Sequence, residues 1–578
     1  MSATREHDDK LIRVDMTRLA VSVEPYPEDW ALLGGRALSA RILLEECDAG
    51  CDPLGPDNVL VFAPGVLTGT SAPTSGRLSV GAKSPLTGGI KEANTGGNPA
   101  QHLTKLGYRA IVVTGQPEDA DARYGLEVDD QSARIVPADD HKGLWNYASC
   151  EKLSESYPKQ ASFISCGPAG EHRLAGAYVA NTDQDNRYPT RHAARGGLGA
   201  VMGSKGLKFV AVDPGKTRLR AAGRKKEFNG LVKTFSKQYL DGPQAMAKGT
   251  ASAVPVAQML NTFPHKNRVE GQSPDVEQLD GARIHESFPE RGGGMHNCLT
   301  GCIVQCSNVV HDAEGNYKTS ALEFETITLL GSNCAVASWE DVADLDRLCD
   351  DVGLDTIETG AALAVLMDAG EMDWGDVEAM KDAIRQIADA TELGKTVGNG
   401  AAAVGRHTGH HRVPVVKGQA LPAWDPRPLK ATGVTYASSP MGADHTAGLI
   451  INPGMQPDQF AQASQESQVK NAICDSSGFC QFIGPSVEQM RELYEAFEGR
   501  DISQQEMADY GWQCLLDEWE FNRRAGFTEA DDILPDCMKE DAIGPQKVVF
   551  DVESDIIADA KVRKTELSED FFSSAVLG

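Results

Sequence analysis

The segments CDDVGLD (349–355) and CDSSGFC (474–480) repeat one short pattern, and the two copies begin 125 residues apart. Both read Cys-Asp-x-x-Gly followed by an apolar residue, but one ends in Asp355 and the other in Cys480. Glycine permits a positive φ, so the chain can turn sharply behind each aspartate. Two such turns predict two equivalent ligands, or one pseudo-symmetric ligand. Taken singly, each copy also fits a helix C-terminal turn closed by glycine.

A triplet of cysteines, Cys298, Cys302 and Cys306, lies in HNCLTGCIVQCSN. Thiolates are the ligands of iron–sulfur clusters and zinc. Zinc sites usually pair two C-x2-C knuckles, and no second pair occurs in this sequence. The spacing therefore favours a cubane cluster with one distant ligand over zinc, and metal binding over buried core cysteines.

The spacing alone does not identify the distant fourth ligand. The repeated pattern favours Cys480, because only that copy ends in cysteine. The candidates include Cys334, Cys349, Cys474 and Cys480.

The bulk composition limits the class of protein. A chain of 578 residues is too long for one core, and a net charge of −28 argues against nucleic acid and anionic membrane as partners. The N-terminal MSATREHDDKLIRVD has no apolar signal region, and no apolar run is long enough to span a membrane. With thirteen cysteines, an odd number, we expect a reduced, cytoplasmic protein without membrane insertion.

The pattern of apolar residues along the chain predicts an α+β fold. A β-rich N-terminal domain (1–213) precedes two mainly helical domains (214–417 and 418–578). VVKGQALPAWDPRP (415–428), with its prolines, is interpreted as a loop between domains. The predicted strands lie at 58–65, 76–83, 108–115, 161–167 and 207–213. The predicted helices lie at 219–240, 341–354, 356–370, 376–391, 486–499 and 506–526.

Motifs along essentially the whole chain resemble the tungsten-containing aldehyde:ferredoxin oxidoreductases. Besides the repeated pattern and the cysteine triplet, they are GGRALSARILLEE (34–46), FAPGVLTGTSAPTSGRLSVGAKSPLTGG (62–89), EANTGGN (92–98), RGGLGAVMGSKGLK (195–208), LEFET (322–326) and MGADHTAG (441–448).

The resemblance implies a tungsten (or molybdenum) centre held by two pterins, with the β-rich domain as its base. Each copy of the repeated pattern would then hold one pterin. Asp350, Leu354 and Asp355 would serve the first. Asp475, Phe479 and Gln481 would serve the second. Cys480 would contact that second pterin and join Cys298, Cys302 and Cys306 on a [4Fe–4S] cluster.

The resemblance also assigns the glycine-rich loops to the pterin phosphates, with a Mg²⁺ ion bridging them. Guanidinium groups and backbone N–H groups suit phosphate. The residues implied are Arg77, Asn94, Gly96, Arg195, Gly196 and Gly197. The alternative, a dinucleotide-binding loop at GGLGAVMG, lacks the expected glycine spacing and acidic partner.

Two catalytic residues are implied by resemblance, Glu325 in LEFET and His445 in GADH. A glutamate can position or deprotonate a water, and a histidine can donate a hydrogen bond to a carbonyl oxygen. The plain alternatives are a carboxylate at a helix N-terminus for Glu325 and a satisfied core histidine for His445.

The implied activity is oxidation of an aldehyde with water to a carboxylic acid. Electrons would pass through the cluster to a ferredoxin or a small iron–sulfur subunit, which KGLK (205–208) or RKK (224–226) could dock, and a homo- or hetero-oligomer is expected. One alternative keeps the cofactors in an aromatic acyl-CoA reductase subunit. Another is an electron carrier or zinc-stabilised protein without pterin.

The sequence departs from the family pattern in three places. The first gap in the cysteine triplet is one residue longer than usual. Phe479 replaces a leucine, and Met441 stands where an arginine is expected to contact a pterin phosphate.

Overall fold

A computed structural model describes residues 9–577 of the chain. The expectation of no signal peptide rests partly on residues 1–8, which lie outside the described residues. Among the helices of residues 9–577, none combines the length and the apolar character that crossing a bilayer requires.

The N-terminal part contains two six-stranded sheets, as the predicted β-rich domain requires. In the first sheet the order is β2-β1-β6-β3-β4-β5, and β1 and β6 are parallel while the other neighbours are antiparallel. Its strands are β1 (Lys10–Asp15), β2 (Ala20–Pro25), β3 (Leu60–Pro64), β4 (Leu78–Lys83), β5 (Ile90–Thr95) and β6 (Tyr108–Thr114).

The second sheet has the order β11-β10-β9-β12-β7-β8, and only β12 and β7 are parallel among its described pairs. Its strands are β7 (Tyr124–Val128), β8 (Ala133–Pro137), β9 (Ser162–Ser165), β10 (Val179–Asn181), β11 (Arg191–Ala193) and β12 (Leu207–Val212). Each of the five predicted strands is present.

Apolar side chains of both sheets form one shared core, which includes Phe62, Val80, Ile164 and Val210. Short apolar runs buried on both faces explain why these strands read as continuous hydrophobic segments. The accompanying helices are α1 (Gly35–Glu46), α2 (Pro99–Lys105), α3 (Asn146–Ser156), α4 (Pro168–Glu171) and α5 (Leu198–Ser204).

The middle of the chain is mainly helical and builds a second core. A three-stranded antiparallel sheet of β13 (Gly294–His296), β14 (Ser307–His311) and β15 (Tyr317–Ser320) flanks the cysteine triplet. The helices are α6 (Lys225–Asp241), α7 (Val254–Met259), α8 (Val276–Leu279), α9 (Gly281–Arg291), α10 (Phe324–Thr326), α11 (Trp339–Val352), α12 (Thr356–Asp368), α13 (Val377–Ala388), α14 (Glu392–Gly398) and α15 (Ala401–Thr408).

The remaining helices follow a short hairpin of β16 (Val415–Val416) and β17 (Gln419–Ala420). They are α16 (Lys430–Ser438), α17 (Phe460–Ser477), α18 (Val487–Glu498), α19 (Gln504–Arg524), α20 (Asp536–Glu540) and α21 (Ser554–Asp559). The segment 415–428 is loop-like as predicted, but most of it is buried. It therefore belongs to the interior and is not an exposed linker.

Both copies of the repeated pattern end a helix. α11 ends at Val352 and α17 at Ser477, and the next residues, Gly353 and Gly478, have φ of +94° and +88°. The N–H groups of Gly353 and Leu354 both donate to the carbonyl of Cys349. The local backbone is thus a helix C-terminal turn, the plain interpretation of each copy.

Candidate functional site

The second copy of the pattern lies against the first sheet. The N–H groups of Val66 and Leu67 donate to the carbonyls of Ser476 and Ser477 at 3.0 and 2.9 Å. A Cβ on Gly65, just after β3, would lie 2.2 Å from the Gly478 Cα. Only glycine allows this approach of two backbones.

The first copy lies against the second sheet in the same manner. The N–H of Tyr178 donates to the Gly353 carbonyl at 3.0 Å, and the N–H of Asp355 donates to the Gly176 carbonyl at 3.0 Å. A Cβ on Gly167, which follows β9, would lie 2.4 Å from the Val352 carbonyl oxygen. The two copies therefore occupy equivalent places, one on each sheet.

The two aspartates of the pattern are buried beside cations or a histidine. Asp475 lies 3.5 Å from Arg36, which also binds Glu518 at 2.8 Å. Burial raises the pKa of Asp475 well above its ordinary value, and the neighbouring carboxylate of Glu92 raises it further. Asp475 therefore lies in a buried cluster of ionisable side chains with Arg36, Glu92 and Glu518.

Asp350 is the equivalent aspartate on the other sheet. Its Oδ1 lies 3.4 Å from the Nε2 of His192, whose ring stacks on Tyr178 with centroids 4.2 Å apart. Burial raises the pKa of Asp350. Its Oδ2 is buried without a hydrogen-bond partner among residues 9–577.

Arg195 joins the glycine-rich loop to the first copy of the pattern. Its Nε lies 3.4 Å from the Asp355 carboxylate, and its two terminal nitrogens donate to the carbonyls of Ala443 and Ala420, both at 2.5 Å. Asp355 also accepts the N–H of Ile357 and so caps α12. Leu354 is buried and pairs with Ala177 of the N-terminal part.

The glycine pair after Arg195 surrounds a buried lysine. Gly196 and Gly197 have φ of +85° and +75°, and a Cβ on Gly196 would lie 2.3 Å from the Cγ of Lys91. Lys91 is fully buried and pairs with Asp444, and its charge holds the pKa of Asp444 below the ordinary range despite burial. β10 and β11 before this loop are antiparallel, unlike the parallel unit of a dinucleotide fold.

Arg77, the residue before β4, binds Asn94 on the neighbouring strand β5. The Nε of Arg77 donates to the Asn94 side chain, and its Nη2 donates to the Asn94 carbonyl at 3.1 Å. The carbonyl of Gly96 accepts from Asn181 at 2.9 Å, which ties β5 to the second sheet.

The cysteine triplet is brought to Cys480. Arg77 Nη1 lies 3.9 Å from the Cys480 sulfur, and a Cβ on Gly96 would lie 3.3 Å from the Cys298 sulfur. Burial acts to lower the pKa of Arg77, but the neighbouring Cys480, Cys298 and Asp475 outweigh it, and the pKa lies above its ordinary value. The guanidinium therefore faces thiols from both segments.

Thr74 connects these two segments through its backbone and hydroxyl. Its N–H donates to the Gly301 carbonyl at 2.9 Å, and its carbonyl accepts the N–H of Cys480 at 3.1 Å. Its hydroxyl accepts the N–H of Ile303 at 3.1 Å. One residue of the loop between β3 and β4 thus fixes the cysteine triplet and Cys480 relative to each other.

The other cysteines considered for the distant ligand lie elsewhere. Cys334 and Cys349 belong to the second core, and the Cys474 thiol donates to the Phe479 carbonyl at 3.6 Å. In the described part of the chain, no group of three or more His, Cys, Asp or Glu side chains is spaced to hold a single metal ion. A cubane needs a wider arrangement, because each thiolate binds a different iron.

Phe479 and Gln481 flank Cys480. Phe479 is buried and meets Phe235 of α6 edge to face, with ring centroids 5.6 Å apart. The Gln481 side chain donates to the carbonyl of Thr446, the residue after His445. Gln481 therefore links the cluster segment to the loop that carries His445.

Glu325 and His445 come together from segments 120 residues apart. The Nε2 of His445 lies 3.8 Å from Oε1 of Glu325, and Glu325 Oε2 accepts the N–H of Ala423 at 2.6 Å. Oε1 of Glu325 and Nδ1 of His445 are buried and have no hydrogen-bond partner among the described residues. The rings of Phe324 and Trp424 pack together beside this pair.

Several residues of this site have no role that the sequence alone predicts. Arg36 and Lys91 lie inside or beside quoted motifs, but their partners Glu518 and Asp444 are hundreds of residues away. Thr74 acts through its backbone and its hydroxyl, and the partners of both lie more than 200 residues away. A cation immediately before EANTGGN and a threonine in a glycine-rich loop are the hints available.

The residues present fit the cofactors that the resemblance implies. Buried polar atoms are normally hydrogen-bonded, yet Asp350 Oδ2 and Glu92 Oε1 lack partners among residues 9–577. The amino and ring N–H groups of a pterin are donors that would satisfy them. The buried cations Lys91 and Arg195 and the partly buried Arg77 suit phosphate, and the four gathered thiols suit an iron–sulfur cluster.

Comparisons with known proteins match the whole arrangement. A model of the aldehyde ferredoxin oxidoreductase N-terminal domain matches residues 11–214, and a model of domains 2 and 3 of the same family matches residues 230–558. Tungsten-containing aldehyde ferredoxin oxidoreductases of Pyrococcus furiosus and Thermococcus kodakarensis are each 32% identical, with 93% of both chains covered.

A solved structure shares the fold. The active-site complex BamBC of benzoyl coenzyme A reductase, bound to 1,5-dienoyl-CoA, superposes with a TM-score of 0.79 at 18% identity. The superposition covers 91% of this chain and 90% of that one.

Proposed function

The chain belongs to the aldehyde ferredoxin oxidoreductase family, a family of oxidoreductase enzymes, and we propose that it oxidises an aldehyde and water to a carboxylic acid. The reaction releases two protons and two electrons for each aldehyde. The observation that carries the proposal is the Glu325–His445 pair, 3.8 Å apart, with an unpartnered buried atom on each side chain among the described residues. Buried polar atoms are normally hydrogen-bonded, so two unpartnered atoms that face one space favour a polar ligand there.

Asp350, Leu354 and Asp355 would hold one pterin, and Asp475, Phe479 and Gln481 the other. The tungsten (or molybdenum) bis-pterin supplies the two-electron oxidising chemistry when bound. Phosphate groups would meet Arg77, Arg195 and the backbone of Asn94, Gly96, Gly196 and Gly197, with Mg²⁺ between them. We assign Lys91 as a further buried cation for these phosphates, since Met441 stands where the family pattern has an arginine.

Glu325 takes the proton of the attacking water. Its Oε2 is fixed by the Ala423 N–H, so Oε1 is held toward the space shared with His445. His445 turns Nε2 toward Glu325, which leaves Nδ1 free to donate a hydrogen bond to the aldehyde oxygen. Such acid–base contributions are typically worth about 10²–10⁴ in rate.

Cys298, Cys302, Cys306 and Cys480 would hold a [4Fe–4S] cluster, which would supply one-electron transfer to an external acceptor. The next acceptor is a ferredoxin or small iron–sulfur protein, in a cytoplasmic setting. The alternative function is that of an aromatic acyl-CoA reductase subunit, and the observation that favours it is the likeness to the BamBC complex. At 18% identity that likeness concerns the fold alone.

The test is anaerobic purification, elemental analysis and an aldehyde screen with a viologen dye. We expect about one tungsten and four iron atoms per chain, with dye reduction by some aldehydes. Glu325→Gln should keep both metals and lower kcat by about 10²–10⁴. The control Glu371→Gln changes an exposed carboxylate and should leave kcat unchanged.

Two outcomes would contradict the proposal. One is zinc without tungsten or molybdenum. The other is a protein with its full tungsten and iron content that reduces the dye with none of the aldehydes. Oxidation of the reduced dye by an aromatic thioester would then favour the acyl-CoA reductase alternative.

A further inference from the structure

Helix α6 and the residues after it form a basic segment on an acidic protein. Between Arg224 and Lys248 the sequence has six cationic and two acidic side chains, whereas the whole chain has a net charge of −28. Arg224 is paired with Glu495 and Asp501, but the five lysines of the segment are exposed. KGLK, the other basic segment considered, is wrong as a docking surface because Lys205 and Lys208 are fully buried.

Three of these lysines form a stripe on the outer side of α6. Lys226, Lys233 and Lys237 are spaced by seven and four residues, which places them on one face at 3.6 residues per turn. Lys237 pairs with Asp241, whereas Lys226 and Lys233 form no ion pair with any residue of the described range. Phe228 and Phe235, on the opposite face, are buried.

The buried face of α6 covers the cysteine site. Phe235 meets Phe479, the residue before Cys480. Tyr239 packs into the same apolar cluster as Cys302 and Cys306.

The segment after α6 continues along the same site. A Cβ on Gly249 would lie 3.0 Å from the carbonyl oxygen of Cys306, so the exposed Lys248 is adjacent to the triplet. Cys298 itself is only partly buried. The lysines thus lie on the outer side of a segment whose inner side contacts the cysteine site.

We propose that the lysine stripe of α6 (Lys226, Lys233 and Lys237), with Lys248, docks an acidic iron–sulfur protein of the ferredoxin class. Complementary charge steers such encounters and raises the association rate, and the rest of this surface repels an acidic partner. Each aldehyde oxidised yields two electrons, which leave singly and reduce two one-electron centres of the carrier. The inference rests on the proposed function for its electron source, but the docking itself does not require turnover.

The test compares two triple variants with the same change of charge. The docking variant is Lys226→Glu, Lys233→Glu and Lys237→Glu. The control is Lys395→Glu, Lys539→Glu and Lys547→Glu, which changes exposed lysines of α14, α20 and a C-terminal turn. Binding of a purified acidic bacterial ferredoxin to the holoenzyme is measured by biolayer interferometry at low and high salt, and viologen-linked activity is measured beside it.

We expect the docking variant to raise the Kd for ferredoxin about 10-fold at low salt and to lose most of the salt dependence. The control should shift Kd by less than about 2-fold, and both variants should keep wild-type viologen activity. Equal Kd values for the two variants, or no binding by the wild type, would overturn the docking proposal. Absence of viologen activity in the wild type would instead count against the proposed function, since the binding measurement stands without it.

Discussion

At the scale of single residues, two cysteines of one short segment have different surroundings. Cys474 is fully buried and donates to the Phe479 carbonyl, a contact that merely closes the end of α17. Cys480 faces Arg77 and the cysteine triplet. Cys474 therefore serves as a matched control for the role of Cys480 as a metal ligand.

We expect Cys480→Ser to lose the [4Fe–4S] signal in electron paramagnetic resonance of the reduced enzyme and to lower the iron content, because a hydroxyl is a poor ligand for iron in a cubane. Cys474→Ser should keep the wild-type spectrum. A Cys480→Ser protein with full iron and an unchanged spectrum would rule out Cys480 as the fourth ligand.

At the scale of elements, the site depends on two helix ends that meet two strand ends. Each helix closes with a left-handed glycine, and each glycine lies on the backbone that leaves a buried strand. The sequence pattern predicts the turn, because Gly after an apolar periodic run is a helix stop signal. It does not predict which strand each turn contacts.

The Gly478→Ala substitution tests the contact between the end of α17 and the backbone that follows β3. A Cβ at Gly478 would lie 2.4 Å from the Thr68 hydroxyl, in addition to the cost of φ at +88°. We expect a loss of about 2–4 kcal/mol in the free energy of unfolding and a lower iron content. Gly370→Ala, at φ +80° with no atom within 4 Å, should cost only about 1 kcal/mol. The measurement is denaturant unfolding, and equal losses in the two variants would exclude tight packing at Gly478.

Sequence reasoning predicted most elements but not their pairing. The α+β class is confirmed, and so are the predicted strands, because short apolar runs ending at Gly, Pro or Asp are local signals. The partners of Arg36 and Lys91 were not accessible, since each ion pair joins segments more than 350 residues apart. The exposure assumed for KGLK was wrong, because nothing local distinguishes a lysine that binds interior carbonyls from a solvated one.

At the scale of the whole molecule, the two sheets are held together by a few buried polar contacts as well as by their shared core. His102 lies on α2, the helix that connects β5 and β6 of the first sheet. Its Nδ1 is hydrogen-bonded to the Ser162 hydroxyl on β9 of the second sheet at 2.8 Å. Burial lowers the pKa of His102 to about 4. The histidine is therefore neutral in the folded protein at neutral pH.

This contact predicts a dependence of stability on pH. Below the unfolded-state pKa of about 6.5 the unfolded chain binds a proton that the folded chain rejects, so stability falls as pH decreases toward 4. We expect His102 to account for a loss of roughly 2 kcal/mol between pH 7.5 and pH 5. Thermal unfolding of His102→Gln should show a smaller shift over this range than the wild type. The exposed control His407→Gln should shift as the wild type does, and an identical shift in all three proteins would contradict the prediction.

The joints between glycines have a consequence for synthesis. Gly65 leaves the ribosome 413 residues before Gly478, its partner. At about 5–20 residues per second, the first sheet waits roughly 20–80 s for the segment that completes it. The nascent chain therefore lacks the Gly478 contact during that time, whereas the Gly167–Gly353 contact can form earlier. Complete loading of the cofactor belongs to the end of translation or after it.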